Sequence, residues 1–203
     1  LTVDKSLHAI ERVRRLFARS LGYEYQDTLP SVKLNLNPAE EDRKGFLFLH
    51  GTTWPSKHWL DDSWRELGKL LKERGEDVYL PWATAQEKAR AEWLGKELGV
   101  SVLPKLSLTQ LAELMLKVKG VVGVDTGLTH LAALMKVSSV GLYGATSVLL
   151  TGAMGERHKN LNIFYECSPC IDRYCKSSHF MGCMKGLSVN DVLNSLNDLN
   201  DDR

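Results

Sequence analysis

The stretch Val121-Val122-Gly123-Val124-Asp125-Thr126-Gly127-Leu128-Thr129-His130-Leu131-Ala132-Ala133-Leu134-Met135 changes character at its middle. Val121–Val124 is a short apolar run of strand length, whereas Leu128–Met135 carries a helical pattern. A strand that runs through three polar or small residues straight into a helix is half of a βαβ unit. The helix N-terminus then aims free backbone N–H groups and the positive end of its dipole into the space beyond the strand, with Gly127 permitting close approach and Thr126 adding a donor. A diphosphate suits that position.

Outward from this unit the alternation continues on both sides. Phe46–His50 is followed by the amphipathic Trp59–Arg74, Asp77–Pro81 by Ala85–Leu98, and Ser101–Leu103 by Leu108–Val118; Ser139–Tyr143 follows Leu128–Met135. Strands of about five residues separated by helices of two to four turns argue for parallel pairing, because each crossover needs a helix to cover the sheet. The expected fold class is α/β, a Rossmann-like parallel sheet. Residues 45–186 form the expected domain, with 1–44 as a helix and linker before it and 187–203 as a C-terminal helix. In the first segment Leu7, Ile10, Val13, Leu16, Phe17 and Leu21 have helical spacing and Gly22 stands where a helix stops; Pro30, Pro38 and Glu40-Glu41-Asp42-Arg43-Lys44 mark the linker. In the last, Ser188 is a candidate N-cap for the amphipathic Val189–Leu199. There is no fixed-period repeat or low-complexity tract.

Composition sets limits. With 203 residues, 43% hydrophobic and 25% charged, the chain has the make-up of a soluble globular protein with room for one α/β domain and appendages. A formal net charge of +1 gives no bias toward nucleic acid. No run approaches the roughly 18 apolar residues of a membrane span, and the start lacks signal-peptide features. The chain reads as cytosolic, and a start at Leu1 rather than methionine fits a piece of a longer protein.

Open α/β sheets bind ligands beyond the carboxyl ends of their strands, so the residues after each expected strand are the candidates. Gly51-Thr52-Thr53-Trp54-Pro55-Ser56-Lys57 supplies small hydroxyls and a cation suited to phosphate. Trp82 and Glu87, after Asp77–Pro81, offer an aromatic plane for a base and a carboxylate for ribose hydroxyls. Each has a plainer reading: Thr126 as a helix cap, Asp125 as a cap or salt-bridge partner, Trp54, Trp59 and Trp82 as core or rim residues, Lys57 as a solvated charge, and His130 as a structural histidine. Asp125-Thr126-Gly127 also matches the motif of aspartic proteases. Those are all-β folds with two facing carboxylates, and the helical continuation here argues against them.

Taken in order, His50-Gly51-Thr52-Thr53 with Lys57-His58-Trp59, Leu80-Pro81-Trp82 with Glu87, Leu103-Pro104-Lys105, and Val124-Asp125-Thr126-Gly127-Leu128-Thr129-His130 resemble the lipopolysaccharide heptosyltransferases of glycosyltransferase family 9, and within them the type that adds the first heptose. The resemblance runs from about Leu7 to about Gly155 and includes His8-Ala9-Ile10-Glu11-Arg12. It implies a GT-B glycosyltransferase, two Rossmann-like domains facing across a cleft, with this chain as the C-terminal half. It implies ADP-L-glycero-β-D-manno-heptose as donor, a Kdo-lipid A acceptor at the cytoplasmic face of the inner membrane, peripheral membrane association, and inversion without a metal cofactor. By resemblance Thr52, Thr53, Thr126 and Gly127 hold the diphosphate, Lys57 neutralises it or reaches the heptose, and Asp125 binds sugar hydroxyls. Glu87 takes the ribose, Trp82 borders the adenine, and His130 matches the pattern. The family's catalytic base is an aspartate of the N-terminal domain, to which nothing in this sequence corresponds, so these residues alone are expected to bind without transferring. Another GT-B nucleotide-sugar transferase of the second-heptose kind, or a non-catalytic nucleotide-binding module, are the alternatives.

After about Phe164 the sequence departs from the first-heptose pattern and looks more like the second-heptose type. All four cysteines fall here: Cys167-Ser168-Pro169-Cys170, Cys175 and Cys183. Cys-x-x-Cys is a good half-site for zinc or iron, which Cys175 with Cys183 or His179 would complete; reduced thiols without metal and a disulfide are the other readings.

Overall fold

The computed structural model describes residues 2–29, 34–36 and 43–201; Pro30, Pro38 and Glu40-Glu41-Asp42 of the expected linker lie outside them. In chain order the elements are α1 (Ala9–Leu21), β1 (Phe46–Leu49), α2 (Asp61–Glu73), β2 (Val78–Tyr79), α3 (Ala85–Leu98), α4 (Leu108–Lys117) and β3 (Gly120–Val124). They continue with α5 (Gly127–Leu134), β4 (Ser139–Leu142), α6 (Val148–Thr151), β5 (His158–Leu161), α7 (Gly182–Lys185) and α8 (Val189–Asp201).

The strands form one sheet in the order β2-β1-β3-β4-β5, every pairing parallel. The chain steps outward from β1 to β2, then returns across β1 to β3 and moves the other way. Between β1 and β3 the direction of winding therefore reverses, and the loops leaving their carboxyl ends part to either side and leave a crevice.

Strict alternation along β1 builds the two core layers. Phe46 and Phe48 pack with Trp64, Leu67 and Leu71 of α2, Leu94 of α3 and Val192 and Leu196 of α8. Leu47 and Leu49 turn to the opposite layer, with Leu111 and Met115 of α4 and Ala132 of α5. Trp59 and Trp64 meet edge to face at 5.1 Å and are fully buried, a geometry worth about 0.5–1.5 kcal/mol beyond the area it hides. The helix caps follow the sequence closely. Gly22 ends α1 in the left-handed conformation at φ 72, and Ser107 and Thr84 open α4 and α3 with complete capping boxes.

Two expectations fail. Ser101–Leu103 forms no strand: Val100 and Val102 pack against the core as loop residues, and the Leu103 carbonyl accepts from Trp82 Nε1 at 2.7 Å instead of joining a ladder. Conversely, His158-Lys159-Asn160-Leu161 is a strand without an apolar run. It is the sheet edge, half-buried throughout, so pairing with β4 rather than hydrophobicity holds it.

Candidate functional site

β1 ends in Leu49, and the chain then runs through His50-Gly51-Thr52-Thr53-Trp54 into a single 3₁₀ turn, Pro55–Lys57. β3 ends in Val124 and passes through Asp125 and Thr126 into α5. The two loops face each other across the crevice. Lys57 Nζ lies 2.7 Å from Asp125 Oδ2, with the ammonium 4.6 Å above the Trp54 ring. Thr146, in the loop after β4, donates to the same carboxylate oxygen at 2.7 Å, and His130 Nε2 stands 3.6 Å from Oδ1. Burial pushes the Asp125 pKa upward, but hydrogen bonds from His130, Lys57 and Thr146, with the Lys57 charge, outweigh it and bring the pKa down to about 2. The carboxylate is ionised and grips a cation.

Thr126 occupies the N-cap position of α5 yet makes no side-chain cap bond, and its buried Oγ1 has no hydrogen-bond partner among the described residues. Its carbonyl receives the N–H groups of Thr129 and His130, so the amides before them project from the helix end. Gly123 leaves room for Thr129, whose hydroxyl donates to Val124 O at 2.7 Å and fixes the strand-to-helix turn.

Glu87 closes the far side. Its Oε2 accepts from the backbone N–H groups of Ala83 and Thr84 at 2.9 Å, completing the capping box of α3. Burial raises its pKa, while the bonds to Thr84 and Ala83 outweigh this and leave it below the ordinary value. Gly51 packs close beside it: a Cβ there would meet the Glu87 carboxylate and displace it from its cap position. Buried His50 is kept neutral, its pKa lowered to about 4 by desolvation and by Arg90.

The crevice is open, about 900 Å³, and Thr52, Thr53, Lys57, Glu87, Asp125, Thr126, Gly127 and His130 all line it. Trp82 does not; it walls an adjoining slot of about 190 Å³ with Pro81, Leu106, Leu108, Leu111 and Leu128, and Glu87 belongs to both spaces. All nine expected donor residues thus surround one crevice and its side slot. Trp59 is core, as its plainer reading had it. Thr146 and Arg90 were not foreseen, although Thr146 follows a strand end like the others and Arg90 lies one helical turn beyond Glu87.

The cysteine segment is not assembled as a metal site. Cys167 and Cys170 are exposed, Cys175 is half-buried with its Sγ accepting from Met181 N, and Cys183 is buried beside Gly144 with its thiol pKa raised by desolvation. Among the described residues no three His, Cys, Asp or Glu side chains gather to hold an ion, and all four thiols are unpaired. The segment instead braces the crevice. Ser56 bonds to Asp172 O and Arg173 O, while Ser168 Oγ and Ile171 N bond to Gly144 O and Ala145 O beside Thr146.

A parallel sheet with a topological switch, a basic group and a helix N-terminus facing each other there, and an apolar slot one carboxylate away together define a Rossmann-like α/β domain with a polar crevice at its switch point. The family model of glycosyltransferase family 9 (heptosyltransferase) matches residues 1–181, and the chain belongs to that family. Lipopolysaccharide heptosyltransferase 1 of Pseudomonas aeruginosa is 41% identical over 172 residues, 83% of this chain and 48% of that protein. Among solved structures, E. coli heptosyltransferase WaaC with ADP superposes with a TM-score of 0.77 at 32% identity, covering 98% of this chain and 59% of that one. The same enzyme with ADP-2-deoxy-2-fluoro heptose gives 0.73, also at 32% identity, covering 98% and 58%. The fold is that of one Rossmann-like half of a GT-B glycosyltransferase, and the chain spans about half the length of the curated relatives it matches.

Proposed function

We propose that this chain is the donor-binding half of an inverting heptosyltransferase of lipopolysaccharide inner-core synthesis, holding ADP-L-glycero-β-D-manno-heptose for transfer to a Kdo-lipid A acceptor. The observation that carries the reading is the placement of Lys57 opposite the N-terminus of α5, with the slot walled by Trp82 reached across Glu87. Diphosphate, ribose and base need three such environments in that order.

In this reading the hydroxyls of Thr52 and Thr53 and the backbone at Thr126 and Gly127 take the diphosphate. Inverting transfer breaks the bond between the anomeric carbon and the diphosphate oxygen, so negative charge grows on the leaving ADP. Lys57 and the α5 N-terminus sit where that charge develops, and each charge-assisted bond is worth about 1.5–3 kcal/mol. Asp125 holds Lys57 and His130 in place and offers Oδ1, its less engaged oxygen, to sugar hydroxyls. Glu87 uses one oxygen for the helix cap and keeps the other for the ribose; Trp82 and the leucines flank the adenine.

The proton of the acceptor hydroxyl is taken by an aspartate of the N-terminal domain, which lies outside the match to these residues. Residues 1–203 by themselves are expected to bind donor and transfer nothing. With a lipid acceptor the working enzyme belongs at the cytoplasmic face of the inner membrane as a peripheral protein. Calorimetry with ADP, ADP-heptose, UDP-glucose and GDP-mannose tests the proposal. Selective binding of the two adenine nucleotides supports it, while preference for a uridine or guanosine sugar points to another GT-B transferase and sinks the heptose reading.

A further inference from the structure

The loop carrying Thr52, Thr53 and Lys57 is grasped at both ends by one side chain of a different element. Arg90, on α3, donates from Nη1 to the carbonyl of His50 at 3.1 Å and contacts Nδ1 of His58 with the same nitrogen. From Nη2 it donates to the carbonyl of Trp59 at 2.8 Å, and the same nitrogen lies 2.5 Å from Asp61 Oδ1 at the start of α2. His50 precedes the loop, and His58 and Trp59 follow it. One guanidinium spans both ends, which no single-point cation could do.

Arg90 also follows Glu87 by three residues on α3, so the two side chains rise from the same face of one helix. The carboxylate that is read as the ribose contact and the clamp on the diphosphate loop are thereby parts of one rigid element. Core packing does not duplicate the clamp. Trp59 and Trp64 are buried in the layer beneath and anchor α2, whereas the segment between His50 and His58 is otherwise tied by Ser56 to the cysteine-rich segment and by Lys57 to Asp125. For His58 to face a guanidinium its Nδ1 must be the unprotonated nitrogen, and burial followed by the Arg90 charge lowers its pKa in keeping with that.

We infer that Arg90 is a positioning residue of the donor site: it sets the loop that binds the diphosphate in register with Glu87. This rests on the donor-binding reading above and adds to it how the two halves of the nucleotide are held at a fixed separation.

The test uses R90K and R90Q in the full 203-residue chain, with thermal melts confirming that each is folded at the assay temperature. Two readouts are taken: ADP affinity by calorimetry, and amide hydrogen exchange resolved over residues 51–58 against the cores of α2 and α3. The expected result is a loss of ADP affinity of about tenfold for R90K and more for R90Q, since small misplacements of binding groups are amplified. Exchange over 51–58 is expected to quicken while the helix cores keep wild-type protection. Variants that bind ADP like wild type with unchanged loop exchange overturn the inference, and so does a uniform quickening of exchange across loop and cores, which marks a purely structural arginine. If the wild-type chain binds no ADP, the donor reading fails, while the exchange data still decide whether Arg90 holds the loop.

Discussion

Lys57 and Asp125, sixty-eight residues apart in sequence, form a 2.7 Å ion pair that closes the gap between the β1 and β3 loops. The pair is mostly buried, with side-chain exposures of 17% and 9%, so removing one partner strands the other in a poorly solvated place. The two substitutions are expected to differ in what they cost. K57A removes the cation facing the diphosphate and is expected to weaken ADP binding by about tenfold or more, in line with one charge-assisted bond. D125N leaves that cation and deletes a negative charge near the phosphates. It should lose some ADP affinity through a Lys57 no longer held in place, and lose more for ADP-heptose, whose sugar is the proposed partner of the carboxylate. Calorimetry with both ligands on both variants checks the split; equal losses for ADP and ADP-heptose in D125N would remove the sugar contact from the proposal.

Glu87 is asked to do two things, and E87Q separates them. Glutamine serves in a capping box as glutamate does, as Gln110 shows in α4. The variant should therefore unfold within about 0.5 kcal/mol of wild type in urea. A ribose hydroxyl pair, however, donates more strongly to a carboxylate than to an amide oxygen. Wild type is expected to prefer ADP over 2′-deoxy-ADP, and E87Q to lose most of that preference. Retained discrimination in E87Q would leave Glu87 as a cap alone.

The core of this fold was legible because it depends on local pattern. Phe46–Leu49 and Val121–Val124 are apolar without interruption, and only a strand covered on both faces tolerates that; the loop residues after them then had to line the crevice. What escaped depends on partners distant in sequence. β5 exists because β4 offers it an unpaired edge, which nothing in His158-Lys159-Asn160-Leu161 announces. Arg90 on a helix looks like any solvated arginine until the His50 and Trp59 carbonyls are brought to it. The cysteine spacing allowed a shared ion, reduced thiols or a disulfide, and only the folded chain shows Cys183 turned into the core beside Met184 and Cys175 accepting from a backbone amide. Thr126 shows the limit of capping rules, since it occupies the cap position without making the cap bond.

The cysteine arrangement makes a countable prediction. Thiolate formation and access together set the rate of disulfide exchange, and burial suppresses both. Cys167 and Cys170 are exposed and should react with an aromatic disulfide reagent within the first fast phase. Cys175, half-buried and engaged by Met181 N, should follow more slowly, and Cys183 should react only on unfolding. A native titration giving two fast thiols, one slow and one hidden is expected. Four fast thiols would contradict the packing of Cys183, and protection of all four that chelator abolishes would reveal a bound ion.

Acid should weaken the domain in two steps whose origins differ. His158 bridges Ser139 Oγ and Asn160 Oδ1 on the β4–β5 edge; burial, helped by His130 and opposed by the Asn160 bond, lowers its pKa to about 4. Buried His50 is likewise held near 4. A histidine with a depressed folded pKa binds its proton more readily when unfolded, so stability rises with pH between about 4 and the unperturbed 6.5 and is lost on going down through that window. Each histidine can contribute on the order of 3 kcal/mol. Asp125 acts lower: its folded pKa of about 2 sits below the unfolded 3.8, so its contribution is complete above about pH 4 and disappears as pH falls toward 2. Urea unfolding from pH 7.5 to 3 should thus show a decline beginning near 6.5 and continuing past 4. H158Q replaces the titrating ring with a neutral amide and should flatten the upper part of the decline while leaving the lower part. D125N should do the reverse, because the carboxylate's contribution no longer changes with pH above about 4. An H158Q profile parallel to wild type from pH 6.5 to 4 would show that His158 is free to protonate in the folded chain and that the burial seen at the β4–β5 edge does not hold it neutral.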